Sequence, residues 1–265
     1  MPSLLFALLD RWLSPPPVPR RIGWISEYHY AHRGLHDAGV PENSLSAFAR
    51  AAIAGYGIEL DVQRANDGTP VVFHDDTLDR MTAETGALSR RSAVQLGTMA
   101  LAGTAQTIPT LRDVLKEVGG RVPVLIEIKS DRAARISALC LAVRRVLEGY
   151  AGPHAVMSFD PRVAHWYAKH SPHTVRGLSI TEGDDRALPG KLRRRLALWH
   201  ARPDFLAYDV RDLPSRFAAS QRQRGLPVVA WTICSAEHRQ RAEDLADADI
   251  FESGAAPERG AVRPA

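Results

Sequence analysis

Short apolar runs alternate along the chain with longer stretches in which apolar residues recur at helical spacing. Nine of these runs have the length of strands, and the second and third are joined by residues 65–69, which contain an Asp-Gly turn signal. Because that link is too short for a parallel crossover, the two runs predict an antiparallel hairpin. The other eight runs alternate strictly with helical segments and predict a (β/α)8 TIM barrel. A doubly wound open sheet is the alternative, but no Gly-x-Gly-x-x-Gly turn follows the first strand.

The predicted elements divide the chain into one barrel and two additional segments. A helix begins at Asn43 or Ser44, either of which can cap it, and ends at Gly55. The polar stretch 76–108 interrupts the alternation and predicts an insertion that folds over the site. Residues 21–265 are predicted to form the barrel domain. The further helices are predicted at 110–118 and 132–147, and the strands within 28–34, 57–62, 71–74, 122–129, 155–159, 175–180, 205–210, 228–233 and 249–252.

The predicted hairpin carries three side chains that suit a metal site. Alternate residues of a strand share a face, so Glu59 and Asp61 point the same way and the apolar residues beside them point the other way. Folding back at the turn places Val62 near Val71 and His74 beside Glu59. Two carboxylates and a histidine are costly to bury without a cation, so the hairpin predicts a metal site.

Polar side chains gather at further strand ends. In a TIM barrel the C-terminal ends of the strands line the active site. Glu127 and Lys129 stand two residues apart, so both can face the barrel mouth. The remaining histidines are scattered and predict surface or packing roles, although His36 follows the first strand closely. The side chains predicted at the mouth are His32, Arg33, Glu59, Asp61, His74, Glu127 and Lys129.

This set of residue types suits phosphodiester cleavage. Three carboxylates fit a hard divalent cation, Mg²⁺ or Ca²⁺. The fixed positive charges of Arg33 and Lys129 fit a phosphate. His32 and His74, on opposite sides of that phosphate, can serve as base and acid. Acyl transfer is disfavoured because neither a Gly-x-Ser-x-Gly elbow nor a Cys/His pair is present.

These motifs resemble the glycerophosphodiester phosphodiesterase family over roughly residues 28–253. The resemblance implies hydrolysis of a glycerophosphodiester to sn-glycerol 3-phosphate and an alcohol, by direct attack of water or through a cyclic phosphate. It also implies that Trp231 lines the substrate pocket. The matching segments are Ala31-His32-Arg33-Gly34, Pro41-Glu42-Asn43-Ser44, Glu59-Leu60-Asp61-Val62, Val72-Phe73-His74-Asp75, Ile108-Pro109-Thr110-Leu111, Glu127-Ile128-Lys129, Ser158-Phe159-Asp160-Pro161 and Trp231-Thr232. The resemblance implies that His32 and His74 are the acid/base pair. It implies that the metal ligands are Glu59, Asp61 and Glu127, and that Arg33 and Lys129 contact the phosphate.

The C-terminal part departs from the family pattern and leaves the substrate open. Ile233-Cys234 stands where an asparagine is usual, and Phe251-Glu252-Ser253 where Thr-Asp is usual. One alternative is therefore a phospholipase D-like enzyme of the same fold that acts on lysophospholipids. A non-catalytic phosphate- or lipid-binding barrel would lack one of the acid/base or ligand residues, and none is missing. A metal-dependent amidohydrolase would need His-x-His on the first strand, where this chain has His32-Arg33-Gly34.

Residues 1–20 predict an amphipathic segment followed by a proline linker. Its apolar part, within residues 1–13, is too short to span a membrane and lacks the pattern of a secretory signal. Either it covers one end of the barrel, or it is an interfacial anchor that makes peripheral membrane contact.

Composition narrows the partners and the compartment. At 265 residues and 45% apolar content the chain can form one large domain. Its net charge of +4 favours anionic substrates or an anionic membrane surface, whereas its scattered arginines do not form a nucleic-acid footprint. Cys140 and Cys234 predict no disulfide framework and fit a reducing compartment, so the chain is predicted to be cytoplasmic.

Overall fold

The computed structural model describes residues 4–130, 136–183 and 187–257. The strands in these residues are β1 (His29–Ala31), β2 (Gly57–Arg64), β3 (Pro70–Val72), β4 (Val124–Ile128), β5 (His154–Ser158), β6 (Val175–Ile180), β7 (Phe205–Asp209), β8 (Val228–Ile233) and β9 (Ala248–Phe251). All except β3 are parallel and form a closed barrel, because β1 pairs with β2 on one side and with β9 on the other. β3 pairs antiparallel with β2. The predicted TIM barrel with a hairpin after its second strand is confirmed.

Helices surround the barrel and mostly begin at a capping side chain. Ser44, not Asn43, caps the third helix by accepting a hydrogen bond from the Ala47 N–H, and Thr110 forms a capping box with Asp113. Residues 132–135, the start of one predicted helix, lie outside the described residues. The helices are α1 (Leu4–Leu13), α2 (Pro19–Ile22), α3 (Leu45–Ile53), α4 (Ala93–Leu96), α5 (Leu111–Val118), α6 (Ile136–Leu147), α7 (Pro161–His170), α8 (Leu188–Ala201), α9 (Arg216–Gln223) and α10 (Ala236–Leu245), with 3-10 turns at Gly23–Glu27, Leu88–Arg90, Val210–Asp212 and Ser253–Ala255.

The side chains of β2 alternate between the two faces of the barrel wall. Ile58, Leu60 and Val62 are fully buried in the apolar layer between the strands and the surrounding helices. Glu59 and Asp61 line a cavity inside the barrel. The alternation predicted for this strand is therefore present, and it delivers two acids to the interior.

Two aromatic rings fill the N-terminal floor of the barrel. The Tyr30 hydroxyl donates a hydrogen bond of 3.1 Å to the Ile25 carbonyl, which ties the floor to the 3-10 turn that precedes β1. The Tyr30 ring lies against Gly57, where a Cβ atom would come within 2.5 Å of the ring. Gly177 makes room for the Phe205 ring in the same way, since a Cβ there would come within 2.4 Å. The floor is apolar, and the ionisable site residues lie above it.

The register of the β2–β3 hairpin differs by one residue from the predicted register. Val62 pairs with Val72, not with Val71. The reason lies in the turn, where the Ala65 N–H donates a 3.0 Å hydrogen bond to the Thr69 carbonyl and closes a loop of odd length. Gly68 takes the left-handed conformation that such a loop requires, with φ of 88°.

Residues 76–108 form the segment predicted as an insertion. Leu78, Leu88 and Leu96 of this segment form a small apolar cluster with Val71 and Phe73, which follow the hairpin turn. Arg80 extends from this segment to the carboxylates of Glu42 and Asp75. The segment thus reaches the barrel mouth.

Helix α1 lies on the outside of the barrel, against α8 and α9. The Asp10 carboxylate accepts hydrogen bonds from the Trp199 indole at 2.8 Å and the Gln221 amide at 2.9 Å, and it pairs with Arg195. The domain boundary near residue 20 stays a prediction. Residues 1–3 and 258–265, which belong to the predicted anchor and barrel domain, lie outside the described residues.

Candidate active site

All eight residues predicted for the site line one cavity of about 220 Å³ at the C-terminal ends of the strands. The cavity walls combine ionisable groups from the first half of the chain with apolar side chains from the second half. The predicted residues in its wall are His32, Arg33, Glu59, Asp61, His74, Glu127, Lys129 and Trp231.

Three carboxylates meet where β2 pairs with β4. Asp61 and Glu127 are partners in this pairing, and Glu59 stands two residues before Asp61 on the same face. One oxygen of each carboxylate lies within 4.8 Å of the others. Burial, followed by repulsion from Asp61 and Glu127, raises the pKa of Glu59 well above its usual value. Burial also raises the pKa of Glu127.

Two cations partly neutralise this cluster. The Lys129 ammonium lies 2.9 Å from Asp61 and 3.0 Å from Glu127. The Arg33 Nε lies 3.3 Å from Asp61. Burial alone would raise the pKa of Asp61, but the charges of Lys129 and Arg33 outweigh it and lower that pKa to about 2. Burial would lower the pKa of Lys129, and the two adjacent carboxylates raise it instead.

The donor set fits a hard divalent cation. Within the described residues, neither lysine nor arginine forms a side-chain ion pair with Glu59, which receives the Arg33 backbone N–H at 3.2 Å and has the His32 Nε2 at 4.0 Å. Glu59 is thus buried beside two other carboxylates with no lysine or arginine side chain of the described residues paired to it, and a bound cation would relieve that repulsion. Carboxylate oxygens at this spacing are ligands for Mg²⁺ or Ca²⁺. Glu59, Asp61 and Glu127 could therefore hold such an ion.

Each predicted acid/base histidine is held by a carboxylate. The His32 Nδ1 lies 2.7 Å from Glu252, and the His74 Nδ1 lies 2.6 Å from Asp75. With Nδ1 of each ring engaged, Nε2 is the atom available for proton transfer. A hydrogen bond from Arg80, together with the one from His74, lowers the pKa of Asp75 to about 2. Burial would raise the pKa of Glu252, but hydrogen bonds from His32 and His36 hold it well below its usual value.

Sequence reasoning missed the two carboxylates that hold the histidines. Asp75 directly follows His74 in the segment Val72-Phe73-His74-Asp75, and this adjacency could have identified it as the partner of the histidine. Glu252 was noted only as a departure from the family pattern, whereas it lies between His32 and His36, at 2.7 Å and 2.9 Å. Its position depends on the pairing of β1 with β9, which no local pattern encodes.

Asn43 is a third missed site residue. Its side-chain amide donates a 3.0 Å hydrogen bond to Asp61, and its backbone N–H donates one of 2.9 Å to the Arg33 carbonyl. Both Asn43 and Arg33 adopt left-handed backbone conformations, with φ of 54° and 56°. Asparagine tolerates this conformation, and a strained arginine is typical of functional sites. The sequence analysis assigned Asn43 only a possible role as a helix cap and did not predict its contact with the acidic cluster.

Arg80 connects the two sides of the mouth. Its guanidinium pairs with Asp75 at 2.6 Å and with Glu42 at 2.7 Å. Glu42 also pairs with Arg33 at 2.8 Å. A chain of ion pairs therefore runs from Asp75, which contacts His74, through Arg80 to Glu42, which pairs with Arg33.

The opposite wall of the cavity is largely apolar. Trp231 and Phe159 meet edge to face with their ring centroids 5.4 Å apart, and Met157 and Ile250 extend the wall. The Trp231 indole N–H and the Ser179 hydroxyl are buried at this wall and have no hydrogen-bond partner within the described structure. Such donors suit the hydroxyl groups of a substrate.

A closed (β/α)8 barrel with an acidic cluster and two carboxylate-held histidines at its mouth defines the class of barrel phosphodiesterases. The model of the glycerophosphoryl diester phosphodiesterase family matches residues 32–248. The chain belongs to this family of hydrolases.

The chain is also similar to individual glycerophosphodiester phosphodiesterases in sequence and to a solved phosphodiesterase in fold. A glycerophosphodiester phosphodiesterase of Caldanaerobacter subterraneus is 41% identical over 221 residues, which cover 80% of this chain and 87% of that protein. Human glycerophosphodiester phosphodiesterase 1 is 36% identical over 120 residues, or 41% of this chain, and the match spans 36% of its length. A phosphodiesterase of Oleispira antarctica, solved in complex with the product sn-glycerol-3-phosphate, has the same fold, with a TM-score of 0.74 at 24% identity over 85% of this chain and 92% of that chain.

Proposed function

We propose that the protein hydrolyses glycerophosphodiesters to sn-glycerol 3-phosphate and an alcohol in a reaction that depends on a divalent cation. The observation that carries the proposal is the buried cluster of Glu59, Asp61 and Glu127 in the same cavity as His32 and His74. Membership of the family and the product bound by the Oleispira antarctica enzyme support the substrate class.

In the proposed mechanism each side chain has one task. Glu59, Asp61 and Glu127 hold the cation, which when bound offsets the negative charge of the phosphate. Arg33 and Lys129 contact phosphate oxygens as fixed positive charges. In the structure both side chains contact the Asp61 carboxylate, so phosphate would compete with Asp61 for them.

The two histidines move the protons. One takes a proton from the attacking group, which is water or the neighbouring glycerol hydroxyl, and the other gives a proton to the oxygen of the leaving alcohol. If the hydroxyl attacks first, water then opens the cyclic phosphate to give glycerol 3-phosphate. Glu252 and Asp75 hold Nδ1 of each ring, which fixes the ring and stabilises its protonated form. Trp231 and Phe159 receive the organic part of the substrate and exclude water from it.

Release of glycerol 3-phosphate tests the proposal directly. Glycerophosphocholine and glycerophosphoethanolamine are incubated with the protein and EDTA, Mg²⁺ or Ca²⁺. Hydrolysis that EDTA stops and one of the ions restores supports the reaction and identifies the preferred metal. If neither ion gives any release, the proposal for these soluble substrates is wrong.

Histidine variants test the assignment of roles. His32→Ala and His74→Ala should each lower kcat by about 10²–10⁴-fold, the usual effect of an acid/base group, with metal affinity kept. A loss of metal affinity in either variant would contradict a role in proton transfer. Full metal binding without hydrolysis in the unmodified protein would favour a non-catalytic binding barrel.

Hydrolysis of lysophospholipids is the second candidate function. It is favoured by the apolar wall and by the exposure of Phe159, whose side chain is 47% exposed at the cavity. Micelles of lysophosphatidylcholine are assayed under the same conditions as the soluble diesters. A higher kcat/KM on the micelles would make the lipid the preferred substrate.

Location and membrane contact are separate proposals. The helices of the described chain are too short or too polar to cross a membrane. We propose a cytoplasmic enzyme whose residues 1–13 make peripheral membrane contact, and fractionation of cells into soluble and membrane portions tests both parts.

A further inference from the structure

Two neighbouring helices on the side of the barrel expose large apolar side chains. On α8, Leu188, Leu192 and Leu196 are 77%, 46% and 53% exposed and follow each other at intervals of four, so they form one stripe. On α1, Leu8 and Trp12 are 67% and 77% exposed at the same interval. We call these five side chains, with the helix surfaces that carry them, the α1–α8 face.

The α1–α8 face is a fixed part of the fold. The Arg195 guanidinium of α8 lies 4.4 Å from the centre of the Phe6 ring and pairs with Asp10, so the inner side of α1 is fastened to α8. Trp199 adds a hydrogen bond of 2.8 Å to the same carboxylate. Since Asp10 is buried by these contacts, the opposite side of α1, with Leu8 and Trp12, faces solvent.

The exposed charges that border the face on the described residues of α1 and α8 include basic groups beside its apolar side chains. Arg11 is exposed next to Trp12, and Lys191 is exposed next to Leu192. In the described residues of the two helices, Asp10 is the single acid, and it is buried. A helix surface of leucine and tryptophan bordered by lysine and arginine is typical of proteins that lie on anionic lipid.

A second copy of the chain fits this face less well. An isologous dimer would bring Arg11 and Lys191 of both copies together, and such like-charge contacts oppose association. An anionic bilayer offers the opposite charge to those cations and an apolar layer for the five side chains.

We infer that the α1–α8 face docks on anionic membranes. Helix α8 follows the C-terminal end of β6, and the active-site cavity opens at that same end of the barrel. Docking therefore places the mouth beside the lipid surface, where glycerophosphodiesters and lysophospholipids arise from lipid breakdown. The docking itself does not depend on the proposed reaction.

Vesicle binding by the full chain tests the inference. The protein is sedimented with phosphatidylcholine vesicles and with vesicles that also contain phosphatidylglycerol. We expect binding to the anionic vesicles that weakens in high salt. The double variant Trp12→Glu, Leu192→Glu should bind about tenfold or more weakly, because two large apolar side chains no longer enter the lipid.

A matched control separates this face from general surface hydrophobicity. Ile53 and Val94 are 79% and 80% exposed elsewhere on the protein, so Ile53→Glu, Val94→Glu should bind vesicles as the unmodified protein does. Circular dichroism and metal binding should be unchanged in both double variants, which shows that each has folded.

Three results would overturn the inference. The first is absence of binding to anionic vesicles by the unmodified protein. The second is equal binding by the variant at Trp12 and Leu192. The third is a dimer in solution that dissociates in the same variant, which would show that the face binds a second copy of the chain. Since vesicle binding is measured without substrate, an inactive enzyme would leave this result unaffected.

Discussion

Replacement of Glu252 tests how the site holds its first histidine. The carboxylate lies 2.7 Å from the His32 Nδ1 and stands outside the cavity wall, so its removal leaves the groups proposed to bind metal and phosphate in place. A hydrogen bond to a charged partner contributes about 1.5–3 kcal/mol. Because about 1.4 kcal/mol corresponds to tenfold in rate, we expect Glu252→Ala to lower kcat about ten- to a hundred-fold with little change in KM.

The assay compares steady-state hydrolysis of glycerophosphocholine by four variants. Glu252→Gln keeps an acceptor without charge and should fall between the unmodified protein and Glu252→Ala, and Glu252→Asp should restore part of the rate because it restores the charge. His36→Ala removes the other contact of Glu252 and serves as the control for loosening of the loop. Thermal unfolding of each variant shows whether the fold is intact.

Two outcomes would refute this reasoning. If Glu252→Ala kept full kcat, the carboxylate would not support proton transfer by His32. If His36→Ala lowered kcat as much as Glu252→Ala, the effect would belong to the loop that carries both residues and not to the contact with His32.

Three further predictions concern the metal, the barrel floor and the thiols. Asp61→Asn removes a proposed ligand and should raise the Mg²⁺ or Ca²⁺ concentration needed for half-maximal activity; unchanged metal dependence would exclude Asp61 as a ligand. Gly57→Ala forces a Cβ to within 2.5 Å of an aromatic ring and should destabilise the fold by about 1–3 kcal/mol in urea titration, whereas Gly149→Ala, with open space around it, should not. Burial raises the pKa of the Cys140 thiol to about 12, so a thiol reagent at neutral pH should label only Cys234 in the native protein and both after denaturation. Rapid labelling of two thiols in the native protein would contradict the buried position of Cys140.

The parts of the site that lie within single strands could be predicted from the sequence. The alternation of β2 places Glu59 and Asp61 on one face, and the spacing of Glu127 and Lys129 does the same at the next parallel strand. Such patterns are local, because a strand presents every second residue to the same side.

Other parts depend on geometry that no local pattern carries. The hairpin register is decided by a single closing hydrogen bond between Ala65 and Thr69. Arg80 comes from an irregular segment, and its partners Glu42 and Asp75 become neighbours only when the barrel mouth has formed. Long side chains in such segments have many conformations, so their partners follow from the fold and not from spacing.

The pairing of β1 with β9 ties full catalysis to closure of the barrel. The proposed metal ligands belong to β2 and β4, which leave the ribosome early, whereas the partner of His32 is 220 residues further along and follows β9. N-terminal parts of a protein emerge and can fold before the rest has been made. A nascent chain would thus carry its proposed metal ligands while its first histidine still lacked Glu252, and hydrolysis would reach its full rate only once β9 had joined β1. Full enzymatic turnover is in this sense a report that the ring of strands has closed.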